Sequence, residues 1–448
     1  MNLVWFRRDL RLADHPALAE AAARGPVVPV FVLDPGLLGR SPRRDAWIAA
    51  TLAALDDGLR ARGARLIVRH GEPAAELVRL AREAGVSGVW WNRDTTPYGR
   101  ARDAAVEAAC RAAGLEPRAL GDATLSEPDD VRPVHGGFYT VFSPYHRAWR
   151  ARDRVPPAPA PERLVTAEAL DTLALPGAAG VALPAAGEAA AKAVLATFVR
   201  DGLAGYATER DRLDAEPTSR LSPHLRVGAL SLRQIHAAVV AAASPRPALA
   251  EGAEAFLRQL AWREFFVQIL WHAPATRRAP LRPLRPGVRW RDDPDALAAW
   301  QAGRTGYPIV DAAMRQLAAT GWMPNRARMI VASFLVKHLL LDWRAGDRWF
   351  MHELLDGDPA LNGGNWQWVA SVGADALPAF RIFNPVTQGR RFDPSGRYVR
   401  RWLPELASVP NAHVHAPWEA GGAPGYAPPI VEHVEARRRA LAAFGPSR

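Results

Sequence analysis

Short apolar runs alternate with longer amphipathic stretches over roughly the first 120 residues, and this alternation constrains the fold more than any other feature. Alternation of strands and helices is typical of a parallel, doubly wound sheet. The apolar runs predict strands at Leu3–Phe6, Val27–Leu33, Arg65–Val68 and Val86–Trp91. The stretches between them predict helices over residues 44–62, 72–84 and 97–113.

Polar residues follow two of these predicted strands. Arg7-Arg8-Asp9 follows the first strand, and Asn92-Arg93-Asp94 follows the fourth. Ligands of doubly wound sheets bind beyond the carboxyl ends of the strands, so both sets are predicted to line one crevice. The chain has no Gly-x-Gly-x-x-Gly sequence, which excludes the usual dinucleotide fingerprint.

The rest of the chain predicts a linker and then a helical domain. Residues 131–187, rich in Pro, Ala and Val towards their end, predict a linker between an α/β domain (1–130) and a helical domain (188–448). Pro308 is predicted to open a helix that ends before Gly321. Asn325 is predicted to cap the next helix, which covers residues 326–341.

Composition narrows the class of protein. Mean hydropathy is −0.13 and no apolar run reaches about 18 residues, so neither a membrane span nor a secretory signal is predicted. The single cysteine, Cys110, excludes disulfides and cysteine-rich metal sites within this chain, and no metal site is predicted. A cytoplasmic location is therefore expected. The net charge of +11 favours a polyanion such as DNA, although a GC-rich coding sequence would also raise the arginine content.

The segment Asn362-Gly-Gly-Asn-Trp-Gln-Trp368 is the strongest indication of chemistry. It contributes two of the 16 tryptophans, several of which lie beside charged residues. An indole offers a large polarisable face and one N–H donor, so such residues suit stacking or electron transfer. The alternative, that they are large core residues, explains single tryptophans well but the whole set poorly.

Two further groups indicate an anionic ligand. Arg328 shares a helix face with Asn325 and Met329 and needs an anionic partner, either a bound phosphate or one of the acids Asp356 and Asp358. The hydroxyl-rich run Thr218-Ser-Arg-Leu-Ser222 precedes a helix and suits a pyrophosphate. A structural Arg–Asp pair and ordinary helix capping are the respective alternatives.

Together these motifs, in this order, resemble the photolyase/cryptochrome family along nearly the whole chain, and most closely its class I enzymes for cyclobutane pyrimidine dimers. The opening strand, Val4-Trp-Phe-Arg-Arg-Asp-Leu-Arg11, is similar to that of the family. The flavin-domain motifs are matched by Thr218–Ser222, Trp262-Arg-Glu-Phe265, Thr305-Gly-Tyr-Pro-Ile-Val-Asp311, Asp356-Gly-Asp358, Trp366-Gln-Trp368 and Arg381-Ile-Phe-Asn-Pro385.

The resemblance implies an α/β antenna-binding domain, an all-α domain that binds FAD, and light-driven repair of ultraviolet-damaged DNA. Tyr206 and Thr218–Ser222 would hold the phosphates and ribose, while Arg328 and Asp356 would face the isoalloxazine and Asn362 would lie opposite flavin N5. The residues implied to bind FAD are Tyr206, Thr218, Ser219, Arg220, Leu221, Ser222, Phe256, Arg263, Arg328, Asp356, Gly357, Asp358 and Asn362.

The resemblance also implies an electron relay and a lesion site. The relay would run through Trp366, Trp343 and Trp290 to the surface. Trp262 and Trp368 would form aromatic walls for a flipped dimer. The other residues implied to contact the lesion or its DNA backbone are Arg210, Gln259, Asn325, Arg326, Met329, Arg381 and Gln388.

One residue departs from the pattern. Family enzymes that split cyclobutane dimers usually carry Glu where this chain has Gln259, and Gln at this position resembles the (6-4) photolyases and animal cryptochromes. Those relatives usually carry His where this chain has Asn325 and Met329. Cyclobutane-dimer repair is therefore the predicted reaction. A (6-4) photolyase and a cryptochrome-type blue-light photoreceptor are the alternatives.

The resemblance further implies a possible second chromophore in the N-terminal crevice. Ser41-Pro-Arg-Arg44, Trp47 and Thr96–Asp103 are similar to members that bind a flavin or deazaflavin there. FMN, a deazaflavin, a folate or an empty crevice all stay open. A monomer that binds UV-damaged DNA, and associates with the bacterial nucleoid when bound, is expected.

Overall fold

A computed structural model describes residues 1–165, 170–175, 177, 182–378 and 381–445. Contacts between residues divide the chain into two units. The N-terminal unit contains Met1–Tyr139, Ser143–Ala204 and Ser219–Pro274. The C-terminal unit contains Thr140–Phe142, Gly205–Thr218 and Ala275–Arg448. The predicted boundaries at 130 and 187, which follow sequence character, stay a prediction; residues 166–169, 176 and 178–181 of the predicted linker lie outside the described residues.

The N-terminal unit contains a five-stranded parallel sheet with the strand order β3-β2-β1-β4-β5. Its central strands are buried and apolar, as strands of a sheet covered on both faces must be. The predicted α/β fold is therefore confirmed. The strands are β1 (Asn2–Phe6), β2 (Val27–Leu33), β3 (Ile67–His70), β4 (Gly88–Asn92) and β5 (Glu116–Leu120).

Helices follow each of the first four strands, and each begins with Pro, whose fixed φ suits the first helical position. They are α1 (Pro16–Ala23), α2 (Pro42–Arg60), α3 (Pro73–Glu83) and α4 (Pro97–Ala112). The later helices of this unit are α5 (Phe142–Arg150, from its second residue), α6 (Gly187–Thr197), α8 (Ser222–Val227), α9 (Leu232–Ala243) and α10 (Ala250–His272). A π-helical turn covers Phe198–Gly202, and a 3₁₀ turn covers Pro247–Leu249.

The described part of the C-terminal unit contains helices and loops. Its helices are α7 (Tyr206–Glu209), α11 (Pro294–Gln301), α12 (Pro308–Thr320), α13 (Asn325–Ser333), α14 (Trp343–Glu353), α15 (Pro359–Val369), α16 (Pro385–Phe392), α17 (Arg397–Trp402) and α18 (His433–Phe444). A π-helical turn covers Phe334–His338, and 3₁₀ turns cover Pro274–Arg277 (from its second residue), Pro404–Leu406 and Pro417–Ala420. The core is built mainly on α12 and α13, and the prediction of a helical C-terminal domain is confirmed.

Helix α12 begins at Pro308 and ends before Gly321, as predicted, because Gly321 takes the left-handed conformation with φ 66°. The prediction for the next helix was wrong in two respects. Pro324 occupies the position before α13, and Asn325 is the first helical residue without capping it. The helix also stops short of residue 341, because it widens into the π-helical turn and Leu340 then takes a positive φ of 54°.

None of the helices in the described part of the chain is long and apolar enough to span a membrane.

Candidate active site

Arg328 is held on α13 by two acceptors. Its Nη2 donates to Asp356 Oδ2 at 2.7 Å, and its Nε donates to the carbonyl oxygen of Met323 at 2.8 Å. Of the alternatives that the sequence leaves open for Arg328, the structure shows the structural pair with an acid, and that acid is Asp356. Asp356 is buried, and its second oxygen, Oδ1, has no hydrogen-bond partner among the described residues. A buried carboxylate oxygen without a donor loses solvation, so it suits a ligand that brings an N–H or O–H group.

Asp358 has a local role as well. Its Oδ1 accepts from the backbone N–H groups of Ala360 at 2.9 Å and Leu361 at 3.2 Å, so it caps α15. Gly357 lies in the turn between the two acids. The cap fixes the start of the helix that carries Asn362, Trp366 and Trp368.

Asn362 is held by Asp347, a residue that the motif analysis missed. The amide Nδ2 of Asn362 donates to the carbonyl oxygen of Asp347 at 2.9 Å and to its Oδ1 at 2.7 Å. Asp347 is buried on α14, and its Oδ2 accepts from Arg277 Nη1 at 2.8 Å. Because the amide nitrogen is engaged on this side, the orientation of the Asn362 side chain is set by Asp347. The only sequence feature that could have indicated this role of Asp347 is its position, one helical turn after Trp343.

The three tryptophans predicted to form a relay share the core of the C-terminal unit. Trp366 and Trp343 are buried members of that core, and half-buried Trp290 packs against it. The Trp366 ring meets Phe350 edge-on at 5.1 Å between centroids, and Trp300 at 6.1 Å. A Cβ on Gly346 would lie 2.1 Å from Cη2 of Trp366, so α14 approaches this indole closely only because residue 346 is glycine.

Several residues predicted to contact DNA lie on α13 or pack against it. Asn325 is exposed, and its Nδ2 lies 3.6 Å from the sulfur of Met329. Arg326 Nη2 pairs with Asp211 Oδ2 at 2.6 Å, and its guanidinium stacks 4.4 Å from the centre of the Phe392 ring. Elsewhere in the unit, the predicted DNA contacts comprise half-buried Arg210, Trp368 and Gln388 and exposed Arg381.

The hydroxyl-rich run is divided between the two units. In the C-terminal unit, Tyr206 is buried, which raises the pKa of its phenol to about 12. The buried Oγ1 of Thr218 has no hydrogen-bond partner among the described residues. In the N-terminal unit, Arg220 has a positive φ of 51°, and Leu221 precedes α8 without a side-chain cap. Ser219 Oγ accepts from Leu221 N at 3.4 Å, and Ser222 begins the helix. The simple capping alternative therefore does not account for Thr218.

Helix α10 of the N-terminal unit carries the remaining predicted residues. Phe256, buried, packs on Phe198 at 4.7 Å between centroids. Gln259 and Trp262 follow at three-residue intervals on the same face and are half-buried, as is Arg263. The Nε2 of Gln259 donates to the carbonyl oxygen of Ala255 at 3.3 Å, which leaves its amide oxygen available as an acceptor.

The crevice at the carboxyl edge of the sheet is present and highly charged. Asn92 Nδ2 donates to Asp9 Oδ2 at 2.8 Å, and Arg8 lies 3.5 Å from Asp94. Burial would raise the pKa of Asp9, but His15 and Arg7 outweigh it and lower that pKa. Beside this network lies a cavity of about 370 Å³, lined by Asp34, Pro35, Gly36, Glu72, Pro73, Tyr98, Ala101 and Arg102.

The structure separates the residues predicted for the crevice. Tyr98 donates to Asp34 Oδ2 at 2.7 Å, and Arg102 lies 3.6 Å from Asp34 at the cavity wall. Ser41 caps α2, and Arg93 turns to Glu127 at 3.0 Å. Trp47 is fully buried, donates to the carbonyl oxygen of Pro223 at 3.2 Å and is not among the residues that line this cavity.

The chain matches two family models. One, described as DNA photolyase, matches residues 2–162, and the other, described as the FAD binding domain of DNA photolyase, matches residues 256–446. The deoxyribodipyrimidine photo-lyase of Halobacterium salinarum is 43% identical and covers 100% of this chain and 99% of its own length.

The chain belongs to the DNA photolyase family. A class III photolyase structure from Agrobacterium tumefaciens has a TM-score of 0.94 at 39% identity and covers 99% of this chain and 96% of its own. The structure of a Synechocystis cryptochrome has a TM-score of 0.92 at 29% identity, with 99% of both chains covered. The predictions of the family, of FAD as cofactor and of light-driven DNA repair are thus confirmed.

Proposed function

We propose that the protein splits cyclobutane pyrimidine dimers in DNA by light-driven electron transfer from reduced FAD. The observation that carries this proposal is the ion pair of half-buried Arg328 with buried Asp356, in which one carboxylate oxygen has no donor among the described residues. When bound, FAD supplies the redox chemistry, and the protein positions and tunes it. The match to photo-lyases at 43% identity favours repair over a signalling role.

Arg328 and Asp356 fit the isoalloxazine ring. The free oxygen of Asp356 would accept from an N–H group of the ring, and the fixed guanidinium of Arg328 would stabilise negative charge on the reduced cofactor. The buried Thr218 hydroxyl, which has no partner in the described part of the chain, fits the phosphate–ribose portion of the cofactor. Tyr206, Ser219–Ser222, Phe256 and Arg263 are proposed to complete FAD binding.

Asn362 is proposed to face flavin N5 through its side-chain amide. With its Nδ2 held by Asp347, the carbonyl oxygen of the amide points away as an acceptor. An acceptor in this position would favour forms of the flavin that carry a proton on N5. Asp347 therefore sets which end of the amide the cofactor meets.

The lesion is proposed to bind outside the duplex. Chemistry on a base requires that base to leave the stack, and stacking on aromatic side chains offsets part of the cost. Trp262 and Trp368 are each half-buried, as expected for indoles that keep one face available. Asn325 and Met329 offer an amide and a thioether on a neighbouring turn of α13, and neither can act as the ionisable His of a (6-4) mechanism.

Gln259 is proposed to accept a hydrogen bond from a pyrimidine N–H. Its amide nitrogen is already engaged with Ala255, so the oxygen is left for the base. An amide carries no negative charge, so it tunes the dimer radical anion less than a carboxylate would. The proposed reaction is still repair of cyclobutane dimers, but Gln259 would stabilise the reacting dimer less than a carboxylate at this position.

The cavity beside the sheet is proposed to bind the second chromophore. Its volume lies within the range of small-molecule sites, about 300–1,000 Å³. Arg102 is buried at its wall, and its Nε has no hydrogen-bond partner among the described residues. Asp34 and Asp94 already balance the charge of Arg102, so a flavin, deazaflavin or folate would suit this site through an acceptor atom that meets the unused N–H. We further propose a cytoplasmic monomer that associates with the nucleoid when it binds damaged DNA.

Two matched substitutions on α15 test the assignment of roles. Trp366→Phe is expected to slow photoreduction of oxidised FAD strongly while leaving the affinity for dimer-containing DNA unchanged. Trp368→Phe is expected to do the reverse, because Trp368 is proposed to contact the lesion. Photoreduction is followed by absorption under blue light, and affinity by fluorescence anisotropy in the dark. Equal effects of the two substitutions on both measurements would refute the assignment.

A further inference from the structure

Arg326 has an internal anionic partner in the DNA-free protein. Its Nη2 lies 2.6 Å from Asp211 Oδ2, and the exposed fractions of the two side chains are 19% and 32%. The guanidinium also rests on the Phe392 ring, and its buried Nε has no hydrogen-bond partner among the described residues. The pair is therefore partly exposed and accessible to an anion from solution. The Nε–H donor of Arg326 is unused among the described residues.

Asp211 and a DNA phosphate need the same donors. A guanidinium binds phosphate best through two parallel N–H groups, and Asp211 already takes one edge of Arg326. Two anions cannot share that edge without repulsion, because they would lie within a few ångströms of each other. We propose that Asp211 is an internal competitor that occupies Arg326 and is displaced by a phosphate of the DNA. This inference rests on the proposed role of Arg326 in DNA binding.

The position of Asp211 does not depend on the ion pair. Two residues later, the backbone N–H of buried Leu213 donates to the carbonyl oxygen of Phe392 at 2.8 Å. This bond ties the Asp211 segment to the residue whose ring lies under the Arg326 guanidinium. Arg326 also rests on the Phe392 ring, so it keeps one contact when the carboxylate of Asp211 is removed.

Neighbouring acids on the same segment have other partners. Asp214 pairs with Arg212 at 3.0 Å and accepts from Ser395 at 3.2 Å. Asp211 is thus the acid of this run that faces a residue proposed to bind DNA. Its presence lowers the affinity for DNA, which also helps the repaired strand to leave.

The test is a double-mutant cycle on DNA affinity in the dark. A labelled oligonucleotide with one cyclobutane dimer is titrated by fluorescence anisotropy, and an undamaged oligonucleotide is the second probe. Asp211→Asn keeps the shape and removes the charge. It is expected to tighten binding about two- to five-fold, the range of an ion pair of this exposure. The dependence of log K on log salt is expected to steepen by up to about one, since one more cation is free to meet the DNA.

Three further variants complete the cycle. Arg326→Gln is expected to weaken binding, and Asp211→Asn added to it is expected to change nothing further. Glu435→Gln removes the same charge from an exposed pair with Arg438 on α18 and is expected to leave the affinity unchanged. Circular dichroism and FAD content establish that each variant is folded.

The possible results distinguish a failure of the proposed Asp211 competitor from a failure of the proposed DNA contact of Arg326. Weaker or unchanged binding by Asp211→Asn, while Arg326→Gln binds poorly, overturns the competitor alone. Tightening that persists in the Arg326→Gln background shows a general charge effect and overturns it too. Unchanged DNA affinity of Arg326→Gln overturns the proposed DNA contact of Arg326 and, with it, the role of Asp211 as a competitor. The proposed repair activity is tested separately, by light-driven repair of the dimer.

Discussion

Replacing Asp347 tests how the amide of Asn362 is held. Asp347→Ala removes the 2.7 Å acceptor of Asn362 and the 2.8 Å partner of Arg277 but leaves the backbone carbonyl in place. A hydrogen bond to a charged group contributes about 1.5–3 kcal/mol. The Arg277 side chain is 31% exposed and recovers water, so its lost pair contributes about 1 kcal/mol or less. The expected loss of unfolding free energy is therefore about 1.5–4 kcal/mol.

The matched variant is Asp347→Asn, which retains one neutral acceptor and is expected to lose about half as much. Urea unfolding of the FAD-loaded protein, followed by circular dichroism, measures the stability, and blue-light photoreduction measures the semiquinone that accumulates. We expect less semiquinone in Asp347→Ala, because the Asn362 amide then keeps only the backbone carbonyl of residue 347 to orient it. A midpoint of unfolding equal to that of the unmodified protein, together with unchanged semiquinone, would contradict the role of Asp347.

Three other predictions follow from single contacts. Gly346→Ala should displace the Trp366 indole by roughly 1.5 Å to reach ordinary contact, cost up to ~3 kcal/mol and slow FAD photoreduction; unchanged photoreduction would contradict this. Burial, with His433 and Arg439 nearby, lowers the pKa of His338 to about 3. The unfolded chain then binds one more proton between about pH 6.5 and 3, so stability falls with acid over that range. His338→Phe should make this slope shallower by up to about 1.4 kcal/mol per pH unit in urea unfolding, and an equal slope would refute it. Gln259→Glu should leave or improve repair of a cyclobutane thymine dimer in an illuminated assay, and a large loss would indicate another lesion.

The parts of the sheet that the sequence predicts are those with buried strands. β1, β2 and β4 are nearly continuous apolar runs, and this continuity over a short length identifies them as buried strands. Strand β5 escapes prediction because Glu116–Leu120 lies at an edge, is largely exposed and contains Pro and two charged residues. Helix α5 was predicted as linker, although buried Phe142, Tyr145 and Trp149 recur at helical spacing.

The candidate site likewise contains residues whose role the sequence indicates and residues whose role only the fold reveals. The sequence indicates an anionic partner for Arg328 but leaves Asp356, Asp358 and a bound phosphate open, and in the fold the acid that contacts it is Asp356. Asp347 was missed because its role comes from a contact between α14 and α15 that no local pattern records. Trp47 shows a related limit of the sequence: this indole beside charged residues is a core residue whose N–H is satisfied by a distant backbone carbonyl.

The most direct test of the account is a light-versus-dark repair assay with the FAD-loaded protein. Two oligonucleotides are compared, one with a single cyclobutane dimer and one with a single (6-4) photoproduct. We predict that blue light converts the cyclobutane dimer to two pyrimidines, that darkness leaves it intact, and that the (6-4) photoproduct is unchanged. A protein that binds reduced FAD and the cyclobutane dimer yet leaves the dimer intact in light would contradict the account.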